Sequence, residues 1–227
     1  VHLLLLHGAL GAASDFDLLM PFFNTHYTVH RFDFVNHGKG PLTDDPLSIA
    51  AFGGQVAEYL DMHQLKDVYV FGYSMGGYVA CWLAKREPEL FKAIYTLGTK
   101  FVWNTESSEK EAAMLDPRTI TNKVPAYAAQ LAEKHQTVSW QILLSQTAEL
   151  MRSLGNRPAL TPEDYQHITT PVLVARGEFD KMIPQEDADK VAELLGNGKK
   201  EMLAATPHPL AQVDPVLLIN SISRFFG

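Results

Sequence analysis

Ser74 lies in the run GYSMGGY, Gly72 to Tyr78, where five residues spell Gly-x-Ser-x-Gly. That spacing can carry nucleophilic chemistry. Chance would place it in a chain of this length less than about one time in ten at ordinary glycine usage, so its surroundings must decide. A serine hydroxyl is a weak nucleophile and needs a base, which in turn needs an orienting acid. Nine histidines compete for the base. His208, in AATPHPLAQ, is favoured because prolines on both sides restrict its backbone and the segment follows a late strand. His26, His30, His63, His135 and His167 fall on strands, helix ends or the middle of the chain and read as structural or solvated. His37, in NHGKG, sits in a loop that could approach the serine, but it precedes Ser74 in the chain. For the acid, Asp180 in ARGEFDKMIP is favoured, with Glu178 its competitor. Asp187 and Asp189 fall in the first turns of a helix, where acids suit the helix dipole. The oxyanion of acyl transfer needs preorganised N–H donors. Met75, next to the serine, would supply one, and Ala9 in HGALG the other, with Gly8 and Gly11 allowing a tight turn. His7 reads as a residue that holds this loop by hydrogen bonds.

These residues need a scaffold, and the patterning supplies one. Apolar runs at His2 to His7, Tyr27 to Phe34, Asp67 to Tyr73, Ala93 to Gly98, Pro171 to Gly177 and Lys199 to Ala205 read as strands. Several are apolar nearly throughout, as strands buried on both faces are. Helical patterns near Ser14–Asn24, Pro46–His63, Met75–Arg86, Gln185–Leu195 and Pro209–Phe226 alternate with them. The alternation predicts an α/β fold, doubly wound, with a mostly parallel sheet. Ser74 then falls on the turn from strand to helix, and Gly72, Gly76, Ala80 and Ala84 let that helix lie close to the sheet. Residues 101–168 contain no convincing strand. A helical stretch there is expected to form a cap, with a capping box at Ser108 and Glu111, a helix ending at Gly155, and a helix opened by Thr161, Pro162 and Asp164. Residues 1–100 and 169–227 then form the core.

Composition narrows the function classes. A formal charge of −7 with interspersed signs and no basic block argues against nucleic acid. Cys81 is the only cysteine, which excludes an internal disulfide framework and a multi-cysteine metal site and fits a reducing cytoplasm. Leu3 to Leu6 is too short an apolar run to span a membrane. No cofactor is expected, and no charged cluster points to a metal, phosphate or nucleotide. The chain opens in a strand without an initiator Met, so residues before Val1 are expected to be missing.

The motifs LLLLHGALG, FDFVNHGKG, GYSMGGY, VARGEFDKMIP and ATPHPL, in that order, resemble the α/β-hydrolase superfamily over nearly the whole chain. The order Ser74, Asp180, His208 matches that family, and the helical insertion stands where its members carry a cap. The resemblance implies an eight-stranded, mostly parallel sheet, two of whose N-terminal strands are not visible before His2. Asn36 and Gly40 depart from the family's usual second motif at positions that shape a loop. Serine at the elbow disfavours haloalkane dehalogenase and epoxide hydrolase chemistry. The implied function is hydrolysis of a small or medium, partly apolar ester or thioester through an acyl-enzyme. The alternatives are a C–C hydrolase, a cofactor-free perhydrolase, a lyase similar to the menaquinone-pathway synthase, or a non-catalytic receptor. Arg118, Arg152 and Arg157 do not convincingly match the arginine pattern of that lyase. The insertion also supplies Met114 and Met151. The pocket wall is expected to use Leu10, Phe101, Trp103, Tyr127 and Trp140.

Overall fold

Leu3, Leu4, Leu5 and Leu6 are fully buried or nearly so, and they alternate between two separate cores. Leu4 and Leu6 join one cluster, Leu3 and Leu5 the other, as the two-residue period of a strand requires. The computed structural model describes residues 1–227 and places this strand, β1 (His2–Leu6), inside a six-stranded sheet. The others are β2 (Thr28–Arg31), β3 (Val68–Tyr73), β4 (Phe91–Leu97), β5 (Val172–Gly177) and β6 (Gly198–Leu203). Their order is β2-β1-β3-β4-β5-β6, and every pair is parallel. The resemblance implied eight strands, and residues 1–227 form six.

Helices cover both faces. α2 (Ile49–Met62), α3 (Met75–Ala84) and α9 (Gln185–Leu194) pack on one, α1 (Met20–Phe23) and α10 (Pro215–Phe226) on the other. The stretch expected as one helix from Ser14 to Asn24 is broken into a 3₁₀ turn, Ala13–Phe16, and α1. Pro21 accounts for the break, since it is accommodated in the first turn of a helix but not in its interior. The last helix starts at Pro215, not Pro209, because Asp214 caps it by accepting from the N–H groups of Val216 and Leu217. No helix is long and apolar enough to cross a membrane.

Between β4 and β5 the chain forms α4 (Thr105–Ala113), α5 (Pro117–Lys123), α6 (Pro125–Lys134), α7 (Trp140–Asn156) and α8 (Pro162–Gln166). The capping box at Thr161 and Asp164 forms as expected. The box at Ser108 and Glu111 does not. Asn104 caps α4 by accepting from Ser107 N–H, and Ser108 lies one turn inside. Nor does Gly155 end α7, which runs on to Asn156. A Cβ at Gly155 would stand 1.9 Å from Ser108 Oγ, so this glycine lets α7 lie against α4.

Candidate active site

β3 ends at Tyr73 and α3 begins at Met75, leaving Ser74 alone on the corner with φ 50° and ψ −117°. A residue with a Cβ in that state carries about 1–3 kcal/mol of backbone strain, which persists only where the surroundings over-determine it. Here they do. Ser74 N–H donates to the Leu97 carbonyl at 2.9 Å, and the Ser74 carbonyl accepts from Thr99 Oγ1 at 2.9 Å and Gly77 N–H at 3.1 Å. The corner also needs backbone-to-backbone approach, since a Cβ at Gly76 would lie 2.1 Å from the Leu6 carbonyl oxygen.

His208 lies in the loop between β6 and the 3₁₀ turn Leu210–Gln212. Its Nδ1–H donates to Asp180 Oδ2 at 2.8 Å, which leaves Nε2 for the cavity. Asp180 is buried, and its other oxygen accepts from Met182 and Ile183 N–H at 2.8 and 3.1 Å. Burial pushes its carboxyl up, but the His208 bond and charge and the two N–H donors outweigh burial and hold it below the ordinary value. Arg176 fixes the acid's loop by donating to the carbonyls of Ile183, Gly177 and Asp180. Glu178 is spoken for elsewhere, accepting from Ala205 N–H at 2.8 Å. Tyr73 Oη donates to the His208 carbonyl at 2.9 Å. Gly98, at φ 61°, leaves room for the pair, since a Cβ there would stand 3.2 Å from the His208 ring and 3.3 Å from Asp180.

The loop after β1 brings Ala9 to the wall of the cavity that Ser74, Met75 and His208 also line. As the first residue of α3, Met75 has an N–H without an intrahelical acceptor. The loop is held from below. Phe34 N–H donates to His7 Nε2, so Nδ1 carries the proton and donates to the Gly8 carbonyl at 2.8 Å. Burial lowers the His7 pKa to about 4, so the ring is neutral. His37 does not line the cavity. Its ring lies against His7, 5.2 Å between centroids, and its Nδ1 donates to Val35.

The cavity holds about 400 Å³. Of the expected wall residues Leu10, Trp103 and Tyr127 line it, as does Met151, while Met114 is exposed. Phe101 and Trp140 do not line it, contrary to expectation. Phe101 packs edge-to-face on Tyr165 and behind Tyr78, which occupies the wall in its place. Trp140 precedes Thr147 on the same α7 stripe by two turns, roughly 10 Å along the axis. The stripe that reaches the cavity is Thr147, Leu150, Met151 and Leu154.

A sequence model of the alpha/beta hydrolase fold matches residues 1–135, more than half the chain. The chain belongs to the α/β-hydrolase family. This α/β-hydrolase is 34% identical to the sn-1-specific diacylglycerol lipase ABHD11 of Xenopus tropicalis, across 98% of the chain and 77% of the lipase. It is 26% identical to a non-heme chloroperoxidase of Streptomyces lividans, across 96% of the chain and 89% of that enzyme. Its fold superposes on the crystal structure of E-2-(acetamidomethylene)succinate hydrolase with a TM-score of 0.81 at 18% identity, covering 100% and 92% of the two chains. Sequence reasoning missed several residues of this α/β-hydrolase's site. Tyr73, Thr99 and Arg176 act through backbone carbonyls, a contact no side-chain pattern announces. Lys100 and Glu111 meet in the cavity wall from separate elements. Only the Thr147–Leu154 stripe had a legible signal, its i, i+3, i+4, i+7 spacing.

Proposed function

We propose that this α/β-hydrolase is a serine hydrolase of small or medium, partly apolar esters or thioesters. The observation that carries the reading is that His208, hydrogen-bonded to the buried Asp180, lines one largely apolar cavity together with a strained Ser74. Ser74 Oγ attacks the substrate carbonyl carbon while His208 Nε2 takes its proton. Asp180 orients the imidazole and stabilises the imidazolium. The N–H groups of Ala9 and Met75 donate to the oxyanion. Collapse breaks the bond to the alcohol or thiol, which leaves with the proton from His208. Water then attacks the acyl-enzyme, passing a proton to His208, and the returning proton restores the Ser74 hydroxyl as the acid departs. The five helices between β4 and β5 act as a cap, since residues from α6 and α7 roof the cavity.

The lipase relative supports an ester substrate, and an apolar wall suits an acyl chain. The lyase alternative gains nothing here, because Arg118, Arg152 and Arg157 stand outside the cavity wall. A fluorophosphonate probe is expected to label Ser74 stoichiometrically, and p-nitrophenyl butyrate to be hydrolysed with a burst. Ser74→Ala should lose both. A folded wild-type protein that takes no label and turns over no ester or thioester would refute the reading.

A further inference from the structure

Lys100 and Glu111 are the only fully charged side chains in the wall of a largely apolar cavity. Lys100 follows β4 and Glu111 lies on α4, and their side chains are 13% and 15% exposed. The ammonium sits 4.7 Å from the centre of the Trp103 ring. Two further residues of the wall each carry a buried polar atom with no partner, Trp103 at Nε1 and Thr147 at Oγ1. Buried side-chain polar atoms are overwhelmingly hydrogen-bonded, because leaving one unmade costs about 1–3 kcal/mol. Two such residues and a shielded ion pair in the lining of one cavity are a retained cost that packing does not explain.

We propose that Lys100, Glu111, Trp103 and Thr147 form a specificity patch for a neutral, hydroxyl-bearing group of the substrate. The chemistry of the four side chains selects that class. Lys100 and Trp103 donate, Glu111 accepts, and the Thr147 hydroxyl does either. A hydroxyl has one proton and two lone pairs, so it can pair with up to three of these groups at once, donating to one and accepting from two. A substrate carboxylate would face Glu111, and an ammonium would face Lys100. Asp187, within Coulombic reach of Lys100 from α9, does not line the cavity and strengthens the bias against anions. A bare alkyl group would leave Thr147 and Trp103 unpaired as they are now. The inference deepens the proposed hydrolysis and rests on it for its kinetic readout.

The test uses ester pairs differing by one hydroxyl-for-methyl exchange. On the alcohol side these are 2-hydroxyethyl hexanoate and propyl hexanoate. On the acyl side they are methyl 6-hydroxyhexanoate and methyl heptanoate. Wild type should prefer the hydroxylated member of one pair in kcat/KM by about fivefold or more, the worth of one neutral hydrogen bond, and the pair that responds tells which side of the ester the patch reads. Thr147→Val should erase most of that preference through KM while leaving Tm unchanged or higher, since it removes an unpaired hydroxyl. Lys100→Met with Glu111→Leu, made together so that neither charge is stranded, should erase the rest. A wild-type preference for the methyl member of both pairs would overturn the patch, as would preferences that neither variant moves. Should no ester be turned over, the hydrolase reading fails by itself. The same pairs are then titrated calorimetrically into Ser74→Ala, where a tighter Kd for one hydroxylated member supports the patch and equal affinities for both members of each pair overturn it.

Discussion

Ser74 holds a backbone state that a glycine would occupy without strain, and its three hydrogen bonds show what keeps it there. Ser74→Gly should therefore be inactive but more stable than Ser74→Ala. Relief of about 1–3 kcal/mol of strain exceeds the roughly 0.5–1 kcal/mol entropy penalty of glycine. In a chain of this size each 1 kcal/mol of net gain should raise Tm by about 2–4 °C. Differential scanning calorimetry of the two variants measures it directly, and a lower Tm for the glycine variant would mean that the corner carries no strain. Placing a side chain where it must be reached and cannot relax is a stability cost accepted at one residue. The same scale holds the reason Asp180 and not Glu178 faces His208, since the Glu178 carboxylate is used to hold the backbone at Ala205, itself at φ 50°.

Elements meet here at a seam that connects the helical insertion to the core. At the end of α6, Lys134 pairs with Asp15 at 2.6 Å, and His135 bridges two core loops. Gly38 N–H donates to His135 Nδ1 at 2.9 Å, so Nε2 carries the proton and donates to the Leu10 carbonyl at 3.1 Å. Gln136 N–H and Thr137 Oγ1 donate to the carbonyls of Gly38 and Gly40, and Asn36 Nδ2 reaches Gln146 on α7. Leu10, at φ 58°, adjoins Ala9, so the seam steadies the loop proposed to hold the oxyanion. His135→Phe keeps the ring volume and loses both bonds. Urea unfolding should show a loss of about 2–4 kcal/mol, for two hydrogen bonds and two stranded backbone groups. Ester turnover should fall in kcat more than in KM. A variant with wild-type stability and kcat would refute the role.

At the scale of the whole molecule, three neutral histidines are packed together beside that loop. The His37 ring lies 5.2 Å from His7 and 5.9 Å from His135. Burial lowers all three pKa values, His7 to about 4 and His37 well below the ordinary value. The unfolded chain binds protons at these sites near pH 6.5 while the folded chain does not, so stability rises with pH across that window. The stabilisation is complete above about pH 6.5 and is lost as pH falls towards 4, on the order of 3 kcal/mol for His7 alone. Urea titrations at pH 7, 6 and 5 should give falling unfolding free energies. A flat profile would mean that the rings titrate as they do in the unfolded chain, and unfolding free energies that rise on acidification would mean that the folded cluster holds protons at neutral pH.

How much of this was legible depends on the range of the interaction. All six strands overlap the runs read as strands, though β1 is all leucine apart from His2 and β6 is half charged, and the strand–Ser74–helix corner follows from GYSMGGY between an apolar strand run and a helical one. Misplaced boundaries trace to local competition. Asn104 was the better cap than Ser108, and Pro21 broke a helix that periodicity alone would have continued. The sequence by itself determined the α/β alternation and the chain order of Ser74, Asp180 and His208, because those signals are carried by residues a few positions apart. Only the tertiary structure decided that Asp180 meets His208 and that Phe101 and Trp140 stand away from the cavity. It alone joined Lys100 to Glu111 and seated His135 between two loops. Those contacts arise where separate elements converge, and the closeness of two side chains there is set by how whole helices lie on a sheet, which no local spacing records.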